Sequence, residues 1–294
     1  MLTLLIKKAL HKRGLRLVRV RDRGDSAQTA YPYIKALEVQ GRPFNFWIEN
    51  YTARDWYDTE FWKNESEIRE LLGLLAPADR ILEIGANHGF FTTIMAARLQ
   101  TGHFVGVEAV PRNCMVSQAN LALNGLSQRA RVLNVAISDR PSKVEMYDTT
   151  DASICLDRSA VGKGVPSEAT VEIDAVTGDS LDREYGPFTF LKVDVEGYEV
   201  IALRGCREIL ARRPKLALEL HGARRLAHYA TSIDDLCALI PFSEYEGVMY
   251  VRPKYDVVPF DVERIKEPGA HANIFLAPKS RGAAVSPQPS ASMS

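Results

Sequence analysis

The stretch Ile81-Leu82-Glu83-Ile84-Gly85-Ala86-Asn87-His88-Gly89 decides the fold. A short apolar run ends in a glycine turn, and the residues from Phe90 onward read as a helix. Glycine lacks a Cβ, so the backbone at such a turn can take positive φ and approach a ligand closely. Open α/β sheets bind ligands beyond the carboxyl ends of their strands, so the turn marks a candidate binding site. Its spacing is Gly-x-x-x-Gly, which departs from the Gly-x-Gly-x-x-Gly of dinucleotide-binding folds.

Downstream of the turn, strands and helices alternate. Strands are predicted at 80–84, 103–108, 131–137, 188–194 and 215–221. Helices are predicted at 90–99, through Met115, Ala119 and Leu123, and through Tyr198, Ile201, Ala202, Cys206 and Ile209 on one face. Residues 245–251 and 272–277 read as a closing antiparallel pair. This alternation predicts an α/β fold with a mostly parallel, doubly wound sheet.

Upstream, all three tryptophans (Trp47, Trp56 and Trp62) lie within residues 31–76, among Phe44, Phe46, Tyr51, Tyr57 and Phe61. Such rings more often fill a core than stack on a ligand. Asn64-Glu65-Ser66-Glu67 resembles a helix start, with Ile68, Leu71, Leu72 and Leu75 following at helical spacing. The expected organisation is an N-terminal extension over 1–76, the α/β domain over 77–278 and a Ser/Ala/Pro-rich disordered tail over 279–294. The polar segment 149–170 reads as a mobile loop at the edge of the site.

The charge balance narrows the function. The 294 residues carry 37 basic and 37 acidic side chains, which argues against a generic nucleic-acid binder. Cys114, Cys155, Cys206 and Cys237 are scattered without a Cys-x-x-Cys pair, so neither a zinc knuckle nor a dithiol redox site is expected. No apolar run reaches the roughly 20 residues of a membrane span. Lys7 and Lys8 interrupt the apolar stretch that a signal peptide would need. The expectation is a cytoplasmic protein. Residues 1–25 hold eight Lys/Arg against Asp22 and Asp25, with Leu2, Leu5, Ile6, Ala9 and Leu10 on one helical face. A short helix docked on the domain is expected; weak peripheral contact with anionic lipid is the alternative.

Several polar residues sit at predicted strand ends. Glu108 closes the second strand 19 positions after Gly89 (108 − 89 = 19), where an acid can accept hydrogen bonds from ribose hydroxyls. Asp194 and Glu196 follow the fourth strand. Glu219 and His221 end the fifth and, being two apart, share a face. Structural alternatives exist for each: Glu196 capping the next helix, Glu219 paired with Lys192 or Lys215, and His221 bonded to a backbone carbonyl.

Taken together, these stretches resemble the FkbM-type family of class I methyltransferases. The matching segments are Glu83-Ile84-Gly85-Ala86-Asn87-His88-Gly89-Phe90-Phe91-Thr92, Glu108 with Pro111, Asn120-Leu121-Ala122-Leu123-Asn124, Asn134-Val135-Ala136-Ile137-Ser138-Asp139, Lys192-Val193-Asp194-Val195-Glu196-Gly197 and Glu219-Leu220-His221. They occur in the family's order over about residues 80–278, whereas 1–75 match loosely. One departure is Ala109-Val110 between the acid and Pro111, where the family more often has proline directly after the acid.

The resemblance implies a Rossmann-like methyltransferase fold and bound S-adenosylmethionine. Glu83, Gly85, Ala86, Asn87 and Gly89 would then surround the methionine part, Glu108 the ribose, and Asn134, Ala136 and Ser138 the adenine. The implied acceptor is a small molecule or glycan, with the methyl going to a hydroxyl of a sugar, glycolipid or natural product. A hydroxyl is a poor nucleophile, so a base must take its proton during attack. His221 is the first candidate because an unperturbed histidine titrates at about 6.5. Glu196 is the second, with Asp194 and Glu219 orienting. No metal is expected, because a route through Asp194 and Glu196 lacks an evident third hard ligand. Two competing readings are a nicotinamide-dependent oxidoreductase, disfavoured by the glycine spacing, and a non-catalytic methyltransferase-like binding module, against which the intact carboxylates and histidine stand.

Overall fold

The computed structural model describes residues 31–59, 65–147, 170–251, 256–267 and 269–280. The predicted basic helix within 1–25, the rings of Phe61 and Trp62, the segment 149–169 and the tail from residue 281 lie outside the described residues. Among the described residues no helix is long and apolar enough to cross a membrane.

Strands β1 (Tyr33–Val39) and β2 (Arg42–Ile48) form an antiparallel hairpin that the sequence reading did not anticipate. Gln40 and Gly41 both take positive φ, 49° and 74°, as a two-residue hairpin turn requires. The remaining strands are β3 (Arg80–Ile84), β4 (His103–Val107), β5 (Ala130–Leu133), β6 (Ala136–Ile137), β7 (Ser142–Tyr147), β8 (Thr170–Val176), β9 (Phe190–Val193), β10 (Lys215–Leu220), β11 (Tyr245–Val251), β12 (Val258–Pro259) and β13 (Ala272–Pro278).

The main sheet runs β12-β11-β13-β10-β9-β3-β4-β5. The five strands from β10 to the β5 edge are parallel. The predicted closing pair is present: β13 lies antiparallel to β10 and to β11. The fold is therefore α/β, Rossmann-like and mostly parallel, as the alternation implied. The predicted third strand divides, because the chain leaves the main sheet after Leu133 and pairs β6 with β8 in a separate three-stranded sheet, β6-β8-β7. The predicted helix through Tyr198 and Ile209 also divides, into Glu199–Arg204 and Arg207–Ala211. The break falls at Gly205, where a Cβ would lie 2.1 Å from the Ser138 carbonyl oxygen. Of the two strands expected beside the first, only β9 pairs with β3, while β10 lies one strand further out.

Alternation along each strand separates two cores. Leu82, Ile84, Val105, Val107, Leu191 and Val193 pack on one face. Ile81, Phe104 and Phe190 pack on the other, with Phe46 of the hairpin, Tyr57, Leu71 and Phe90. Tyr57 stacks on Phe90 with centroids 4.9 Å apart, and Phe46 meets Phe90 edge-on at 5.4 Å. Such pairs add about 0.5–1.5 kcal/mol beyond the area they bury. The aromatic-rich segment is thus a lid of core on one side of the sheet. Two asparagines fix it there. Asn120 Oδ1 accepts from the Trp47 amide at 2.7 Å, and Asn124 exchanges bonds of 3.0 and 2.8 Å with the Asn45 backbone. Spaced four apart on the helix Pro111–Leu123 and its cap, they stand one turn from each other and mimic a neighbouring strand.

Candidate active site

The carboxyl ends of β3, β4, β9 and β10 surround a cavity of about 250 Å³, close to the lower end of the roughly 300–1,000 Å³ common for small-molecule sites. Gly85 takes φ +92°, and a Cβ there would lie 1.9 Å from the Asp194 carbonyl oxygen. Its missing side chain lets the ends of β3 and β9 close, with the Asp194 amide donating to Ile84 O at 3.0 Å.

At one end of the cavity stand Ala86, Asn87 and Glu108. Glu108 is held by backbone donors: the Asn87 amide at 2.7 Å on Oε2 and the Val110 amide at 2.9 Å on Oε1. Burial raises its carboxyl to about 7, against the opposing pull of those two amides. The two residues inserted before Pro111 therefore supply one of the amides that hold the acid. Asn134 does not line the cavity; its Nδ2 donates to the carbonyls of Glu108 and Ala109 at 2.9 Å and so fixes the loop that carries the acid. Ala136 lines the cavity. Ser138 stands behind it, 3.0 Å from the hydroxyl of Tyr198. Gly89 caps the helix Phe90–Ala96 with φ +79°, tight against Ser117.

Beneath the cavity lies a buried ion pair. Lys192 Nζ is 3.3 Å from Glu83 and 3.8 Å from Asp194, and it sits over the Phe91 ring at 4.9 Å. Thr92 donates its hydroxyl to Glu83. Burial disfavours the ammonium, but the charges of Glu83 and Asp194 outweigh burial and raise it. Glu83 is thus the partner of Lys192, and Lys215 pairs with Asp79 at 2.8 Å. Glu219 meets His271 at 2.8 Å, and its charge also acts on Lys192.

At the other end Asp194, Glu196 and Glu219 line the cavity. Glu196 has φ +54° and Asn87 φ +49°, an uncommon conformation for residues other than glycine and one found at functional sites. Glu196 makes no helix-capping bond; that helix start is served by Glu199, which accepts from the Gly197 amide at 2.9 Å. His221 does not line the cavity. Its side chain is 5% exposed, with Nδ1 2.6 Å from Glu199 Oε1, and Nε2 3.4 Å from Glu196, 3.7 Å from Glu219 and 3.9 Å from Asp194. Burial alone would lower its titration, but its bonds to Glu196 and Glu199 outweigh burial and lift it to about 11. The expectation of a histidine titrating near neutrality is therefore corrected, because four carboxylates surround the ring. Burial and the Glu219 charge hold Asp194 well above the usual carboxylate range.

Sequence reasoning gave five contributors no role in the site. Lys192 carried a signal, as the lone charge in an apolar strand. Glu199 and His271 carried none that was local. Trp56 and Tyr57 were read as core; they line the cavity as well, from the π-helical turn Asp55–Thr59.

A family model for the methyltransferase FkbM domain matches residues 83–244. No curated protein matches the chain. Among solved structures, the chain is similar to methyltransferase FkbM from Methylobacillus flagellatus KT (17% identity over 69% of this chain, TM-score 0.40), and it spans only 45% of that chain's length. It is also similar to an O-methyltransferase from Bacillus cereus crystallised with SAH (16% identity, 74% of this chain and 81% of that one, TM-score 0.41). A third likeness is to a SAM-dependent O-methyltransferase from Thermotoga maritima (12% identity, 85% and 79%, TM-score 0.41).

Proposed function

The chain belongs to the FkbM methyltransferase family, whose methyl donor is S-adenosylmethionine, and on that premise we propose that it methylates a hydroxyl oxygen of a sugar, glycolipid or other small natural product. Family membership displaces the nicotinamide-dependent alternative. The observation that carries the reading is the convergence of Asp194, Glu196 and Glu219 on the cavity that also holds the glycine turn and Glu108.

When bound, the donor supplies a methyl group already activated by its sulfonium. The residues fit such a group. Each oxygen of Glu108 takes one backbone N–H and keeps a further lone pair for a ribose hydroxyl. Ala86, Asn87 and Ala136 offer the remaining walls on that side. Trp56 and Tyr57 exclude water from the other, and water exclusion strengthens every charge interaction inside.

The acceptor's proton goes to Glu196. Its side chain is 26% exposed and lines the cavity, whereas His221 stands behind the lining carboxylates, with Nε2 3.4 Å from Glu196. The His221 ring works through Glu196 as a positioning group, orienting that carboxylate from 3.4 Å. Asp194 and Glu219 orient the hydroxyl. The test follows transfer of labelled methyl from S-adenosylmethionine into hydroxyl-bearing small molecules of a cell extract. Glu196→Gln should lower turnover by about 10²–10⁴-fold while binding S-adenosylhomocysteine as the parent does. Label found on nitrogen or carbon, or unchanged turnover in Glu196→Gln, overturns the reading.

A further inference from the structure

We propose that Glu219, His221 and His271 hold one first-row divalent transition-metal ion at the edge of the cavity. The sheet register brings the three together. Strand β10 pairs antiparallel with β13, and the last pair is Leu220 with Ala272. One step further along the same register sets His221 opposite His271, with Glu219 next to them on β10. The two rings stand 4.8 Å apart, centroid to centroid.

The separations suit a shared ion. One ligand atom from each residue lies within 4.8 Å of the other two. His271 Nε2 is 2.8 Å and His221 Nε2 3.7 Å from the same Glu219 oxygen. Two atoms bound to one metal at about 2.1 Å stand roughly 3–4 Å apart, so these two spacings need little change. The widest spacing closes by a small rotation of His271, whose side chain is 31% exposed.

A second observation is independent of the distances. The Nδ1 of His221 is engaged by Glu199, itself buried and bonded to the Gly197 amide. That leaves Nε2 aimed at Glu219, Glu196 and Asp194. A carboxylate on the far nitrogen is the arrangement that fixes the tautomer and orientation of metal-bound histidines. Charge points the same way: Asp194, Glu196, Glu199 and Glu219 cluster here against Lys192, which is shared with Glu83, and Arg225, 3.7 Å from Glu196. An ion bound at Nε2 of His221 displaces to solvent any proton held there. Two imidazoles with one carboxylate favour first-row transition ions over magnesium or calcium, which prefer all-oxygen shells. Glu219 lines the cavity, so the ion's open positions face the acceptor and receive its oxygen. That role rests on the methyl-transfer reading; the binding of the ion does not.

The experiment uses the full chain, stripped with a chelator and titrated with Co²⁺ while its visible absorption is followed. One equivalent should bind with the bands of mixed imidazole and carboxylate ligation. His271→Ala should lose affinity by at least about tenfold, and Glu199→Gln, which touches no metal, by about 10–100-fold. His271→Asp, which returns an oxygen ligand at the exposed position, should recover most of the loss. Circular dichroism of each variant establishes that it folds. No Co²⁺ bands in the folded parent, unchanged affinity in His271→Ala, or displacement by equimolar Mg²⁺ overturns the proposal; Mg²⁺ displacement would place the ion on Asp194 and Glu196 alone. Calorimetry with S-adenosylhomocysteine on the same metal-free samples separates the two failures. Binding there with no Co²⁺ site sinks the metal and leaves methyl transfer standing, and the reverse result does the opposite.

Discussion

The two ends of the cavity are built on different principles. At the Glu108 end the backbone holds the acid, through the amides of Asn87 and Val110, and the Asn134 carboxamide fixes the loop that carries it. One carboxyl there faces several neutral donors. At the Glu196 end side chains hold one another, with four carboxylates grouped around one imidazole. A site made from backbone dipoles needs little beyond the correct turn. A site made from clustered like charges stands only while its counter-charges stay in place, and it responds to every proton or cation that enters. The first suits recognition of an invariant donor. The second suits proton removal and orientation of a variable acceptor.

The sharpest break comes from the ion pair beneath both ends. Lys192→Met should cost about 3–5 kcal/mol of folding stability, because it strands the buried charge of Glu83. Denaturant unfolding measures it, and the double variant Lys192→Met with Glu83→Gln should regain most of the loss. If Lys192→Met alone unfolds like the parent, the charged floor of the cavity is not a structural element.

Next in size is the Glu108 end, where we propose that the donor binds. Glu108→Ala should weaken S-adenosylhomocysteine binding by about 1.5–3 kcal/mol, the scale of a hydrogen bond to a charged group. Equal affinity in calorimetry would show that the ribose does not lie against Glu108.

A pH series distinguishes the two ends further. The Glu108 carboxyl is raised from 4.5 to about 7 in the fold, so the native state holds its proton more tightly than the unfolded chain. This group therefore lowers stability as pH rises from 4.5 to about 7. Ligand hydroxyls favour the ionised form, so affinity should fall by up to about tenfold per pH unit below 7. Proton release on binding, read in buffers of different ionisation enthalpy, checks the sign. Glu108→Gln should flatten the profile. A profile that keeps its slope in Glu108→Gln would assign the titration to the carboxylate cluster instead.

The smallest effect concerns the hairpin. Asn124→Ala removes the paired bonds to Asn45 and should cost about 1 kcal/mol. Hydrogen exchange in residues 42–48 should quicken while S-adenosylhomocysteine affinity stays at the parent value. A drop in affinity would mean that the hairpin shapes the Glu108 end as well as covering the sheet.

Local patterns in the sequence determined the Glu108 end. The glycine turn, the acid that follows one strand later and the alternation of strand with helix are all written within about 30 residues, because positive φ and strand periodicity are properties of neighbouring residues. The same locality made Asp194, Glu196, Glu219 and His221 legible as strand-end polar groups, and Lys192 visible as a lone charge. It could not reach the hairpin, whose turn at Gln40-Gly41 carries a weak signal, or the exit of the chain from the sheet after Leu133. Nor could it reach the protonation of His221. That depends on Glu199 from the following helix and Glu196 from the β9 turn, and the partner of Glu219 is His271, 50 positions beyond His221 (271 − 221 = 50). Tertiary structure decided these things because charge interactions act through space: a side chain's proton is set by whatever the fold brings within a few ångströms, however far away it lies along the chain.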